Sequence, residues 1–230
     1  MWCIGRLTEE YRRRMYGLLD LYARPYRKQE PVVCIDEKSK QLLKDTRSVL
    51  PIRPGAAAKH DYEYKRAGTC NLFVAVEPKG ERRVVQVTGR RTKVDFVNFI
   101  CRLLEEVYSG ARKVHLVLDN LNTHFRSSFE QVLGLEAAAV LLRRVEFHHT
   151  PTHASWLNQI EIYFSIIQRK VLTPNDCTSL QELEDRIIEF GTRYSALGKP
   201  FAWCFTRQDL ERRLRDPLLQ SAAATLATAA

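Results

Sequence analysis

A chain of 230 residues, 45% hydrophobic and carrying a formal net charge of +9, is long enough for one well-buried domain with appendages and short for two. No apolar run approaches the roughly 20 residues needed to cross a bilayer, and the opening Met1-Trp2-Cys3-Ile4-Gly5-Arg6 lacks the apolar core of a signal peptide. The six cysteines form no Cys-x-x-Cys pair and several replace apolar residues in strand or helix patterns, so a reduced, cytosolic compartment is expected rather than a disulfide framework.

Residues 8–24 read as a basic amphipathic helix, capped by Thr8, with Leu18, Leu21 and Tyr22 on its apolar side. Its Arg12-Arg13-Arg14 run reads as a solvated face. Pro25 and Pro31 bracket a linker. Val32-Val33-Cys34-Ile35 is then a continuous apolar run, as in a strand buried on both faces, and it is expected to end at Asp36. Residues 37–69 are basic and broken by Pro51, Pro54, Gly55 and Gly68, which predicts a long irregular segment. Asn71–Glu77 and Arg82–Thr88 read as strands joined by Pro78-Lys79-Gly80 into a hairpin.

A helix over 93–108 follows, with Val94, Val97, Ile100, Cys101, Leu104 and Val107 on one side. Val114–Leu118 is a fourth strand that runs into Asp119. A helix over about 127–143 and a fifth strand near Val145–His148 come next. The Thr150-Pro151 turn then gives way to Ser155, a good N-cap, and to a helical stripe of Leu157, Ile160, Phe164, Ile167 and Val171. Trp156, Tyr163 and Phe164 read as core. Residues 179–195 form another amphipathic helix, Thr206-x-x-Asp209 opens a last one, and the Ala/Thr-rich tail from Ser221 is expected to fray. Three strands without intervening helices imply an antiparallel meander, and the later strand–helix alternation adds two parallel strands. The expected fold class is α/β, with a mixed five-stranded sheet flanked by helices.

Charge is unevenly spread. Residues 1–113 hold 24 Lys/Arg against 14 Asp/Glu, and residues 114–230 hold 12 against 13. Surplus base is often only a solvated surface, but concentrated in one half it favours a polyanion partner, most often nucleic acid. Against that background three carboxylates stand out. Asp36 and Asp119 sit at expected strand ends, and Glu161 falls within the apolar stripe between Leu157 and Phe164. An inward carboxylate costs about 3 kcal/mol or more unless a cation or hydrogen bonds compensate. If the first and fourth strands are neighbours, the two aspartates meet, and three converging carboxylates select a hard cation, Mg²⁺ or Mn²⁺. Two such ions could hold a phosphodiester, with Asp36 bridging them.

The competing readings are plain. Asp119-Asn120 could be a turn, Glu161 could pair with an arginine, and Glu37 reads as a solvated partner for a lysine. His124 could meet a phosphate, orient a water, or be a satisfied loop histidine. His148, His149 and His153 invite zinc, but Thr150-Pro151 breaks the helix that would place 149 and 153 on one face, so a strand-end histidine reads as structural. There is no Walker loop, Gly-x-Gly-x-x-Gly or Gly-x-Ser-x-Gly, which removes support for nucleotide hydrolysis, dinucleotide binding and a serine-hydrolase elbow.

Three blocks carry a family likeness: Val33-Cys34-Ile35-Asp36-Glu37-Lys38, Leu116-Val117-Leu118-Asp119-Asn120-Leu121-Asn122-Thr123-His124, and Thr150-Pro151-Thr152-His153-Ala154-Ser155-Trp156-Leu157-Asn158-Gln159-Ile160-Glu161. With weaker similarity at Arg91–Phe96 and Pro200–Trp203, the chain resembles the DDE transposases of bacterial insertion sequences in the mariner-like branch. These are DDE-superfamily endonucleases with a ribonuclease-H-like fold. The resemblance implies that Asp36, Asp119 and Glu161 are catalytic and bind the metal, two Mg²⁺ or Mn²⁺ ions. Asn120, His124, Asn158 and Lys38 are the residues that would support those ligands or touch DNA.

By the same resemblance the activity is cleavage of element ends by water, followed by joining of the freed 3′-hydroxyl to target DNA, typically at a deformable TA step. A homodimer holding two ends and a prokaryotic, nucleoid-associated setting without membrane attachment are also implied. Two departures stand out. Ser39 replaces an expected Pro, which should loosen a loop behind the triad, and only about 30 residues precede Asp36, too few for a helix-turn-helix module. The expected organisation is therefore a basic helix and linker over 1–30, a remnant of the region preceding the catalytic domain, then a catalytic domain over 31–215 and a tail over 216–230. The module could be encoded upstream. The alternatives are a structure-specific or RNA–DNA hybrid nuclease without strand transfer, and a non-catalytic DNA-binding remnant.

Overall fold

The first strand owes its position to its apolar run and its length to its neighbour. In the structure, a computed structural model that describes residues 8–46, 52–55, 63–173 and 177–215, β1 spans Val32–Asp45. Beside it β2 (Tyr64–Val76) runs antiparallel, from Cys34↔Val76 out to Asp45↔Tyr64, with one irregularity between Gln41 and Leu43. Asp36 is thus inside a long strand and not at its end. Much of 37–69 is regular ribbon and not irregular loop, because each strand satisfies the other's backbone groups and Leu42 and Cys70 supply buried anchors. Gly68 lies within β2, and Ser39 is a strand residue whose hydroxyl donates to Asn71 Oδ1 at 2.6 Å, so no loop is loosened there. The break expected at Pro51 and the tail from Ser221 lie outside the described residues.

β3 (Arg83–Thr88) completes the meander, and β4 (Val114–Leu118) and β5 (Val145–His149) add in parallel on the other side of β1. The order is β3-β2-β1-β4-β5, the mixed five-stranded sheet read from the sequence. Alternation along the strands feeds two cores. Cys34, Leu72, Val74 and Val117 face one side; Val33, Ile35, Phe73, Leu116 and Leu118 face the other.

On the first face lie α1 (Glu9–Ala23), α5 (Ile160–Ile167), α6 (Leu180–Ala196) and α7 (Arg207–Leu214). Thr8 caps α1 by accepting the Tyr11 amide, Ser179 caps α6, and Thr206 and Asp209 form a reciprocal capping box on α7. Through Met15, Leu18, Leu19, Leu21 and Tyr22, α1 is packed into the same core as the sheet. On the second face lie α2 (Lys93–Arg102), extended by a π-helical turn over Leu103–Val107, with α3 (Arg126–Leu133) and α4 (Leu135–Leu142). The single helix expected over 127–143 is two, broken at Gly134, whose φ of 84° no helix accommodates. No described helix is long and apolar enough to cross a membrane.

Candidate metal and nucleic-acid site

Parallel pairing of β1 with β4 runs Val32↔His115, Val33↔Leu116, Cys34↔Val117. Two further steps in that register set Asp36 beside Asp119, where β4 has ended and the chain is free to turn. Asp36 shares the sheet face of Cys34, beneath α5, while its neighbour Glu37 points through to the opposite face.

Asp36 is largely enclosed and has no ion pair among the described residues; its Oδ1 accepts the Glu37 amide at 2.8 Å. Burial pushes its carboxyl up to about 7, and the neighbouring charges of Asp119, Glu37 and Glu161 add to the rise. Asp119 is held the other way. Burial raises it, but hydrogen bonds from His124 Nδ1 (2.6 Å) and the Leu121 amide (3.0 Å) outweigh that and keep it below the usual carboxylate range.

His124 is fully buried and bridges the faces of the sheet: Nδ1 meets Asp119 Oδ1, and Nε2 meets Glu37 Oε1 at 2.9 Å. Although burial opposes its charge, the two carboxylates raise it to about 9, which makes it an imidazolium clamped between them at neutral pH. Phe96 closes the pocket, its ring 4.5 Å from the imidazole. Glu37 is therefore no solvated partner for a lysine. It is buried, and the signal that could have shown this is strand alternation, since Glu37 shares the parity of Val33 and Ile35.

Glu161 also differs from expectation. It is exposed, because α5 begins at Ile160 and buries Ile160, Tyr163, Phe164 and Ile167, leaving position 161 about 100° off that stripe. Ser155 does not cap this helix either. It opens a 3₁₀ turn over Ser155–Leu157, and the chain re-enters helix two residues later. That re-entry is fixed by Asn158, which is buried, donates to Ile35 O at 3.0 Å and accepts the Ile160 amide at 3.4 Å. The bond to Ile35 ties the start of α5 to the strand position just before Asp36, so Glu161 sits in the first helical turn on the Asp36 side. Tyr163 and Phe164 are core, and Trp156 is half-buried against it.

The remaining candidates are positioned by contacts around this cleft. Asn120 donates to Thr150 O and accepts from Arg14 at 3.1 Å, so one of the arginines read as solvated reaches the loop after β4. Lys38 lies 5.6 Å over the Phe164 ring, and the Arg91 charge is felt at Asp119. The donor set is all oxygen, crowded with like charge, and rimmed by base. That is the setting a hard divalent cation relieves.

A second group of ligating side chains was missed from the sequence. Among the described residues, one set of three offers a ligand atom from each within 4.8 Å of the others: His115, Glu146 and His148. The oxygens of Asp36, Asp119 and Glu161 do not close that tightly as a trio. His149, by contrast, faces the opposite core, stacked on Phe125, and His153 sits in the following turn at φ 61°.

Comparison with known proteins gives three results. The family described as DDE superfamily endonuclease matches residues 31–184. No curated protein matches. Among solved structures, the crystal structure of the Mos1 strand transfer complex shares 16% identity at a TM-score of 0.54, covering 84% of this chain and 57% of that one. The Mos1 transposase paired-end complex with left transposon end shares 15% identity at 0.46, covering 87% and 66%. The chain thus spans little more than half the length of the first of these, and the likeness is one of fold. The family match takes in all five strands, both aspartates, His124, Asn158 and Glu161, and the chain belongs to the DDE superfamily endonucleases.

Proposed function

We propose that this chain is the catalytic domain of a DDE transposase of the mariner-like branch, cutting DNA phosphodiesters with divalent metal and joining the freed 3′-end to target DNA. The observation that carries the reading is the β1–β4 register, which brings Asp36 and Asp119 together under the helix that presents Glu161. Asp36, half-buried with no ion pair among the described residues, would hold Mg²⁺ or Mn²⁺ together with Asp119 and Glu161. Bound there, the ions would neutralise phosphate charge and acidify the attacking water.

The chain's own residues prepare the rest. His124 and the Leu121 amide fix the rotamer of Asp119 and keep it ionised. The Glu37 amide orients Asp36, and Asn158 sets the distance between β1 and α5. Glu161 stands exposed in the first turn of α5, outside the packed core. Arg14 at Asn120, Lys38 over Phe164 and Arg91 near Asp119 rim the cleft with base, and they would hold a phosphate backbone without regard to sequence. Water attacks phosphorus and the 3′-oxygen leaves with a proton. In the second step that 3′-hydroxyl would lose its proton and attack a target phosphorus, forming a new P–O bond as the target's own 3′-oxygen leaves and takes up a proton.

The test is nicking of supercoiled plasmid in Mg²⁺ or Mn²⁺, followed by a joining assay with a precleaved 3′-end. The reading expects both activities, chelator-sensitive, and both absent in Asp119→Asn. Nicking without joining would reduce the chain to a nuclease, and neither activity on any duplex would leave a DNA-binding remnant. Dimer assembly on paired ends and recognition of those ends belong to the same proposal. A gel shift comparing end sequences with random duplex addresses them.

A further inference from the structure

His115 stands on β4, cross-strand from Glu146 on β5, and His148 lies two residues along β5 on the same face. His115 Nδ1 is 3.0 Å from His148 Nε2, Glu146 Oε2 is 3.7 Å from the former, and Glu146 Oε1 is 3.5 Å from the latter. A tetrahedral ion with bonds of about 2.1 Å separates its ligand atoms by about 3.4 Å, so these atoms already stand near the spacing a tetrahedral ion would impose. Each ring can offer a lone pair once the hydrogen between them moves to a far nitrogen, and burial lowers both imidazoles, His148 to about 4.

The neighbouring charges also matter. Lys113 Nζ pairs with Glu146 Oε2 at 2.7 Å, and Arg24 faces both histidines. The Lys113–Glu146 pair is nearly half-exposed on both sides, an arrangement that contributes little and yields readily. Cavities adjoin the group as well: His115 lines one of about 290 Å³ and His148 lines another of about 410 Å³.

We propose that His115, Glu146 and His148 form a transition-metal site, separate from the acidic cleft, that takes Zn²⁺ with water in the fourth position and staples β5 to β4. Two imidazoles and one carboxylate favour zinc, cobalt or nickel, whereas three carboxylates favour magnesium or manganese. The staple would hold an edge strand, β5, that packs against α1 on one face and α4 on the other.

The full chain, stripped with chelator, is titrated with Zn²⁺ and Co²⁺ in the presence of excess Mg²⁺. The expected result is one equivalent of Zn²⁺ retained, a visible Co²⁺ spectrum of nitrogen and oxygen ligands without a thiolate band, and a melting temperature raised by about 5–10 °C at 100-fold excess over Kd. His148→Gln and Glu146→Gln should each weaken binding at least about 10-fold, while Asp36→Asn/Asp119→Asn leaves it unchanged. A thiolate band, retention in His115→Gln/His148→Gln, loss in the aspartate variant, or no uptake above the Mg²⁺ background would each overturn the site. Should the histidine variants fail to fold, the Co²⁺ spectrum of the unaltered chain and the Glu146→Gln titration still decide it.

Discussion

Two polar clusters lie four residues apart along β4, about 13 Å by strand geometry, and their chemistry is opposite. Beyond the strand's end, Asp36 and Asp119 crowd negative charge into a cleft where Asp36 has no cation among the described residues. Near its beginning, His115 and His148 face each other as neutral rings, with Glu146 already paired to Lys113. One cluster is electrostatically incomplete, the other nearly satisfied. The lesson is that burial alone does not mark a reactive centre; burial together with uncompensated like charge does.

The largest expected effect breaks the comparison at its acidic end. Asp36→Asn or Asp119→Asn should lower Mg²⁺-dependent plasmid nicking by about 10²–10³-fold or more with an unchanged circular-dichroism spectrum, whereas His148→Gln should leave nicking within about twofold. Next is Glu37→Leu, which strands a buried imidazolium on one carboxylate and should cost about 3 kcal/mol in urea unfolding. A measured cost near zero would mean that His124 does not depend on Glu37. Asn158→Ala removes the tie to Ile35 O and should cost about 1–2 kcal/mol, with a drop in nicking beyond what stability explains, because the α5 spacing relaxes. The smallest effect is at the rim: Lys38→Ala should weaken DNA binding evenly across sequences and lower the slope of log K against log salt by about 1.

Much of this was legible in the sequence, for reasons that differ by element. The sheet order followed from strands without helices between them, α1 and α7 from Thr8 and Thr206 acting as caps, and α6 from its amphipathic pattern. The length of β1 was not legible, because the ribbon beyond Asp36 is held by pairing with β2 and carries solvent-facing lysines that read as loop. Gly134 was passed over because the apolar period continues across it while the backbone does not.

In the site, the two aspartates were visible as polar residues closing apolar runs. Glu161 was visible as a residue but misplaced in environment, since a stripe of positions 157, 160 and 164 tolerates a neighbour at 161 that points to solvent. Glu37 and the His115–Glu146–His148 group were hidden for another reason. Alternation could have shown that Glu37 is buried, but its partner His124 comes from the 3₁₀ turn after β4, and only the register of β4 with β5 brings His115 to Glu146 and His148.

The account turns on divalent ions held by Asp36, Asp119 and Glu161. Crystals of the unaltered chain soaked in Mn²⁺ and measured at the manganese absorption edge address it directly. The account predicts anomalous density against the Asp36 carboxylate, shared with Asp119 or Glu161, that disappears in Asp36→Asn. Manganese bound only elsewhere on the chain, with the cleft between β1, β4 and α5 vacant at saturating ion, would contradict it.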